Sequence, residues 1–374
     1  MYSEDDLRAA VAGGAIAAAD AVAIRAHVAA LRDTPQADEE IFRLVSGFND
    51  IFVAIAGALA LFGIAMLAGQ TQPLIAAVAV AVAAWALAEF FTLRRRMALP
   101  SILFLLAFHF AVIVAGIQIA GISENSLQGL FPGSARFESE RDLFEPDPSL
   151  LNALQLKLIG IWLATALASA LFWLRFKVPL AVATAAGSIG AALFVALTMI
   201  WPEFGQWLLW PLLGLGLVLF AFAMAWDLRD PGRTTGHADV AFWLHLQASP
   251  MIVHSIFALI ALSVGLREEN ALLLALVAIA IYAGFAVIAL IVDRRAILVS
   301  ALIYFIVAMI YLLNTLGKIE LNFAISAVII GATLLLLSAY WQRLRALVLG
   351  LLPAAVAERL PATSRTTPGS AANV

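Results

Sequence analysis

Residues 271–316 read ALLLALVAIAIYAGFAVIALIVDRRAILVSALIYFIVAMIYLLNTL. Two long apolar runs, 271–292 and 296–316, are parted only by Asp293, Arg294 and Arg295. A membrane's hydrocarbon core is about 30 Å thick, and a helix that crosses it needs about 20 predominantly apolar residues. Each run meets that length, and the charged triplet between them has to sit where water or headgroups can solvate it. Working outward, the same pattern recurs at 51–69, 73–93, 99–121, 153–174, 179–200, 206–226, 246–266 and 321–341. Most breaks carry charge, proline or glycine. The weakest is GQTQ, Gly69 to Gln72, but fusing its two flanks would give a helix of roughly 40 residues, far longer than one crossing requires. The expected fold is all-α: a polytopic membrane protein with about ten transmembrane helices.

Composition supports this reading. Of 374 residues, 63% are hydrophobic and 13% charged, against roughly 45–50% and about 25% in soluble domains. Cysteine is absent, which excludes disulfides, Cys-ligated zinc, iron–sulfur clusters and thiol catalysis. A net charge of −3 implies no attraction to nucleic acid. Lysine occurs only at Lys157, Lys177 and Lys318 in an arginine- and alanine-rich chain, a bias expected of a GC-rich bacterial genome. The opening MYSEDDLRAA is acidic, and the first strongly apolar run starts only at Ile51. That is too late for a signal peptide, so the first membrane helix is expected to serve as an uncleaved insertion signal.

Of the 22 basic residues, all but Arg136, Arg141, Lys157, Arg267 and Lys318 fall on one side of the ten-span arrangement. By the positive-inside rule that side is cytoplasmic. Both termini are then inside, and the expected location is the bacterial inner membrane. Trp173, Trp226, Trp243 and Trp341 fall near the inner interface and Trp201, Trp207 and Trp210 near the outer one, leaving Trp85 and Trp162 deep; indole favours the headgroup level. Residues 1–40 are expected to form a cytoplasmic helical hairpin and polar linker, with Ser3 and Asp6 in a capping box. Residues 41–341 form the membrane domain, including an acidic outer loop at 122–152. There, Asp147 and Pro148 are placed to cap the fourth span and open its first turn. Residues 342–360 are expected to lie on the inner leaflet as an amphipathic helix, Arg343 and Arg345 reaching lipid phosphates. Residues 361–374 form a polar tail expected to be disordered. Two sets of five spans would make an inverted-topology repeat.

Polar side chains within spans are costly and usually face the bundle interior. Gln247, Pro250, His254, Ala258, Ala261 and Gly265 share one face of the seventh span, and Ser300, Tyr304, Ala308, Tyr311 and Asn314 share one of the ninth. Counted from the expected span starts at about 1.5 Å per residue, His109, His254 and Tyr304 fall at one depth, roughly 12–15 Å in. The layer His109, Gln247, His254, Tyr304, Tyr311 and Asn314 reads either as a solute or proton-relay site or as hydrogen-bonded glue between helices. No signature favours a haem or any other cofactor, and none is expected. A second cluster lies at the inner face: Asp50, Glu89, Asp239, His245, Asp293, Arg294 and Arg295, beside Arg94, Arg95 and Arg96. It reads as an ion-paired gate, as a phosphate-ligand site, or as plain topology charges with neutralising partners.

The segments RLVSGFNDIFVAIAGALALFG (43–63), DVAFWLHLQASPMIVHSIF (239–257) and DRRAILVSALIYFIVAMIYLL (293–313) resemble a family of bacterial multi-pass inner-membrane proteins of unestablished function that begin with a short cytoplasmic helical hairpin. The likeness covers most of residues 1–341 and implies topology rather than activity. It draws attention to Asp50, His245, Pro250, His254, Arg294 and Arg295. Three functions are compatible with the sequence: a small-solute or proton-linked permease, a membrane scaffold or sensor, and a membrane enzyme acting on lipid-linked substrates. The partners expected are the bilayer and, for the first function, a small solute.

Overall fold

The structure is a computed structural model that describes residues 4–32, 48–122, 148–200, 208–230, 236–265, 270–316 and 322–353. Regular structure among them is helical, with no strand. The chain divides into two units, Met1–Phe42 and Arg43–Val374.

The first unit holds α1 (Glu4–Ala12) and α2 (Ala18–Arg32). The chain turns between them at Gly13 and Gly14, the latter with φ +69°, a conformation that costs glycine little. Asp20, in the first turn of α2, accepts the Ala17 N–H at 3.1 Å and so satisfies one otherwise unpaired helix-start donor. The expected Ser3 cap and the 33–40 linker lie outside the described residues.

The second unit contains α3 (Phe48–Gly69), α4 (Pro73–Ala88, continued by a π-helical turn Glu89–Arg94), α5 (Ala98–Ile119), α6 (Pro148–Phe176), α7 (Leu180–Ile200), α8 (Leu209–Asp227), α9 (His237–Val264), α10 (Ala271–Val292), α11 (Ala296–Leu316), α12 (Asn322–Ala339) and α13 (Trp341–Gly350). Among the described residues, eight helices are long and apolar enough to cross a membrane, and nine if α12 and α13, bent by 70°, count as one broken span; α11 contributes a shorter apolar stretch, Ile297–Ile310. Large apolar side chains such as Leu59, Phe62, Leu67, Val218 and Leu335 are exposed on these helices. Water tolerates no surface of this kind and extent; lipid does.

Two helices begin earlier than apolar continuity alone suggests. Helix α6 starts at Pro148 rather than 153, with proline in the first turn, where its missing N–H is no loss. Helix α9 starts at His237 rather than 246. Its first turns carry Asp239 and His245, but Ala238, Ala241, Leu244, His245 and Ala248 are all buried. Their three- and four-residue spacing makes one inward face, so the helix extends through polar sequence because that face packs.

The tightest packing is within helix pairs joined by short connections: α4 with α5, α6 with α7, α8 with α9, and α10 with α11. Three of these connections turn on a charged residue in the left-handed conformation: Arg96 (φ 52°), Lys177 (φ 56°) and Asp293 (φ 59°). A left-handed residue just past a helix end lets the last carbonyls find partners. Glycine is its usual occupant, but a polar side chain suits a turn that faces headgroups. Contacts of Glu89 with Arg175, Trp173 with Trp226 and Asp227 with Arg294 gather these connections at one end of the bundle, and bring Arg94, Arg95, Arg96, Arg175, Arg229, Arg294 and Arg295 there with them.

Two large apolar cores form among the described residues, beside two smaller clusters. One is built by α3 to α9 around Phe104, Phe172, Leu244 and Ala248. The other is built by α8 to α13 around Val253, Phe285, Ile297 and Trp341. Helix α9 serves both, and Pro250 lies where it passes from one to the other. The pairings in the two sets of five helices differ: α4 packs closely on α5, whereas its counterpart α9 meets α10 at few positions and packs on α8, α11 and α7. At Gly216 on α8, an added Cβ would lie 2.9 Å from Ile252 Cγ1 and 3.2 Å from the Ile252 backbone N. Backbone cannot step aside as a side chain can. Gly216→Ala is therefore expected to force α8 and α9 apart at a cost of about 1–3 kcal/mol, read as a fall in the melting temperature of detergent-solubilised protein. An unchanged melting point would show that the α8–α9 contact is looser than described.

Helix α13 corrects the part expected of Arg345. Leu344 and Val348 pack inward with Trp341, Arg345 is fully buried, and Leu347 and Leu351 are exposed. Arg345 therefore serves the protein interior and does not reach lipid phosphates.

Candidate functional site

The expected inner-face cluster resolves into two linked networks and two separate sites. The hub of the first network is Asp227, the last residue of α8. Its Oδ2 accepts from His245 Nε2 at 2.9 Å and from Arg294 Nε at 3.2 Å. Its Oδ1 accepts from Arg294 Nη2, which also donates to the Ala238 carbonyl at 3.0 Å. Asp227, His245 and Arg294 are all buried, and Phe220 covers the imidazole edge-on at 4.9 Å. Both charges of this ion pair are thus out of solvent, where losing either partner is far more costly than at a surface. Asp239, half-buried on the first turn of α9, feels both Arg294 and Asp230 electrostatically.

The second network is centred on Asp293. Its Oδ1 accepts from Trp341 Nε1 at 2.7 Å and faces Arg345 Nε at 3.7 Å. Arg345 Nε also donates to the Leu290 carbonyl at 3.2 Å, and Arg295 lies 5.1 Å over the Trp341 ring. One network ties α8, α9 and the α10–α11 turn together; the other ties that turn to α13.

Glu89 and Asp50 stand apart. The π-helical turn that ends α4 presents Glu89 to Arg175 of α6 in a two-pronged pair at 2.9 and 2.7 Å. Both side chains are substantially exposed, so the pair contributes little. Asp50 is buried in the first turn of α3.

Among the described residues, His109 and the pair His254 and Tyr304 of the expected mid-membrane layer are bonded at different helix contacts. His109 Nδ1 is hydrogen-bonded to Ser169 Oγ of α6 at 2.9 Å, within the buried interior. His254 Nδ1 shares a 2.5 Å hydrogen bond with Tyr304 Oη of α11, and the Tyr304 ring stacks on Phe257 at 4.2 Å. Helix α5, which carries His109, packs on α3, α4, α6 and α7, away from that pair. These two contacts are the helix-to-helix bonds that either reading of the layer allowed. Tyr311 and Asn314 belong to α11, but their side chains lie outside the described residues.

Gln247 does something different. It lies against α7, so close that a Cβ built on Gly187 would come 1.9 Å from its Nε2. Its Oε1 is buried and has no hydrogen-bond partner among the described residues. Beside it opens a cavity of about 530 Å³ between α6, α7, α8 and α9. Trp162, Gly190, Phe194, Leu215 and Met251 line it with Gln247. The walls come from the middle of α7 and α8, and they are apolar apart from the carboxamide and the indole N–H. Sequence reasoning had marked Gln247 but missed the cavity, since the small residues of α7 point to close helix contact as readily as to space.

Among the described residues, no group of three or more His, Asp or Glu could hold a metal ion. Comparison of the chain with protein-family models, with curated proteins and with solved structures finds no match in any of the three.

Proposed function

We propose that this protein is a permease for a small, mainly apolar solute, which binds in the cavity between α6 and α9 with one polar group on Gln247. The single observation that carries this reading is the buried, unpartnered Gln247 Oε1 at the edge of a cavity of about 530 Å³. Ligand sites are typically clefts of about 300–1,000 Å³ with mostly apolar walls and a few placed polar groups. A buried acceptor left without a donor costs about 1–3 kcal/mol, and a solute hydroxyl or N–H would recover it. Midway along crossing helices is where permeases bind their cargo. In this reading the chain crosses the bacterial inner membrane ten times, with both termini on the side of the short, arginine-rich turns. His109 and His254 are engaged with neighbouring helices, which favours a solute pathway over a proton-linked one. His245 and Arg294 are buried beneath the inner face rather than lining an interfacial groove, which disfavours chemistry on a lipid-linked substrate.

The test is a thermal-shift and proteoliposome-uptake screen of small alcohols, amines and amides with apolar bodies. At least one compound is expected to stabilise the wild type and to enter loaded vesicles. Gln247→Leu should weaken its binding by about 10-fold or more, as for a lost hydrogen bond to a buried group. Gly187→Val, whose side chain must displace Gln247, should abolish it. A hit indifferent to both substitutions, or binding without uptake, would overturn the site or the permease reading respectively.

A further inference from the structure

At the end of the bundle where the short turns gather, Lys177 Nζ lies 4.3 Å over the Trp173 ring. Trp173 meets Trp226 edge-on at 6.4 Å, and Arg229 lies 5.5 Å over the other ring. The result is a cation–indole–indole–cation row joining the ends of α6 and α8. Cation–π contact holds the cations in place but leaves their charge unneutralised, and neither Lys177 nor Arg229 has a carboxylate partner among the described residues. A second, independent feature lies between them. Trp226 is 9% exposed, and its Nε1 is buried with no hydrogen-bond partner among the described residues. The row thus carries one buried donor without an acceptor and two exposed cations without a paired acid. Leu174 is exposed beside Trp173, and Phe222 is exposed one turn nearer the bundle's middle than Trp226, offering apolar surface next to the charged row.

We infer that the row formed by Trp173, Lys177, Trp226 and Arg229 is a binding site for the headgroup of an anionic phospholipid. The phosphate oxygens meet the two cations and accept from Trp226 Nε1, and the acyl chains run down past Leu174 and Phe222. The apolar surface is what selects a lipid over a free phosphate ion. The row sits at the ends of apolar helices, the level at which headgroups and interfacial indoles meet. Its four headgroup residues line no part of the cavity proposed for solute, which Phe222 borders, so the headgroup test is independent of that reading.

The experiment is native mass spectrometry of the full chain, delipidated in detergent and titrated with phosphatidylglycerol or phosphatidylcholine. The wild type is expected to retain phosphatidylglycerol preferentially. Lys177→Gln with Arg229→Gln should weaken that retention by about thirtyfold, from the contribution of two cations at an anionic headgroup. Benzothienylalanine in place of Trp226 keeps the bicyclic ring and puts sulfur where the N–H was; it should weaken retention severalfold while leaving the melting temperature in lipid-free detergent unchanged. It decides the matter if the double variant does not fold. Equal retention of both lipids would overturn the proposal. So would an equal loss in Arg95→Gln, which would show diffuse attraction to the whole basic face. Displacement by millimolar inorganic phosphate would do the same, by showing an anion site without lipid character.

Discussion

Asp227→Ala is expected to destabilise the solubilised protein by about 3–5 kcal/mol, the usual cost of removing one partner from a buried ion pair. The Arg294 side chain is 2% exposed and is bonded to this carboxylate through both Nε and Nη2. Truncation leaves the guanidinium dehydrated without the charge that compensated it, and takes the acceptor from His245 as well. Asp227→Asn keeps the shape and an acceptor but removes the charge, so it should fall between wild type and alanine. Adding Arg294→Met to Asp227→Ala should restore much of the loss, because the stranded charge is then gone, and the non-additivity measures the coupling. The readout is the denaturation midpoint in a fixed detergent. Glu89→Ala, which breaks an exposed pair, sets the comparison at about 1 kcal/mol or less. An Asp227→Ala effect no larger than that of Glu89→Ala would mean the network is solvated.

The helices were the most legible part of the molecule, for a physical reason. In lipid every backbone group has to bond within its own segment, so a crossing helix announces itself as a long apolar run. Helix ends were less legible. The segment HADVAFW precedes the expected span at 246–266, yet α9 begins there, with Asp239 in the field of Arg294 and His237 against the Trp226 ring. The correct signal was the periodic burial of Ala238, Ala241, Leu244, His245 and Ala248, not mean apolarity.

The sites divide along the same line. Asp293, Arg294, Arg295, Asp239 and His245 were marked, and the structure gathers them at one end of the bundle. Their organising centre, Asp227, was missed because it ends an apolar run and passes for a loop residue. Its neighbours Arg229 and Asp230 offered the only hint, a close alternation of charge before a polar helix start. Arg345 was assigned to lipid because leucines flank it; only the 70° bend before α13 turns it inward, and nothing in sequence encodes that bend directly. The polar layer was read at a common depth, and depth proved a poor guide to adjacency. His254 and Tyr304 meet because α9 packs on α11, whereas His109 faces α6.

Asp293 carries three roles at once, and a series of substitutions is expected to separate them. Its backbone is left-handed, φ 59° and ψ 45°, a conformation that costs most L-residues roughly 1–2 kcal/mol but that Asn and Asp adopt more readily. Its carboxylate accepts from Trp341 and is the acidic partner of the fully buried Arg345. Asp293→Asn keeps the backbone preference and an acceptor for the indole and loses only the charge. Asp293→Gly removes the backbone cost but also both side-chain contacts. Asp293→Ala loses the contacts and keeps the strain. If the contacts dominate, stability should fall in the order wild type, Asn, Gly, Ala, with alanine lower by about 3–5 kcal/mol. If the turn conformation dominated, glycine would match or exceed wild type, and that ordering would refute the role assigned to the carboxylate. Trp341 provides a second readout. Its indole N–H is bonded at 2.7 Å, so breaking that bond should unseat α13 from α10 and admit protease near Trp341–Gly350. Protection of that segment in Asp293→Asn together with cleavage in Asp293→Gly would show that α13 is held by an acceptor at this position rather than by the shape of the turn.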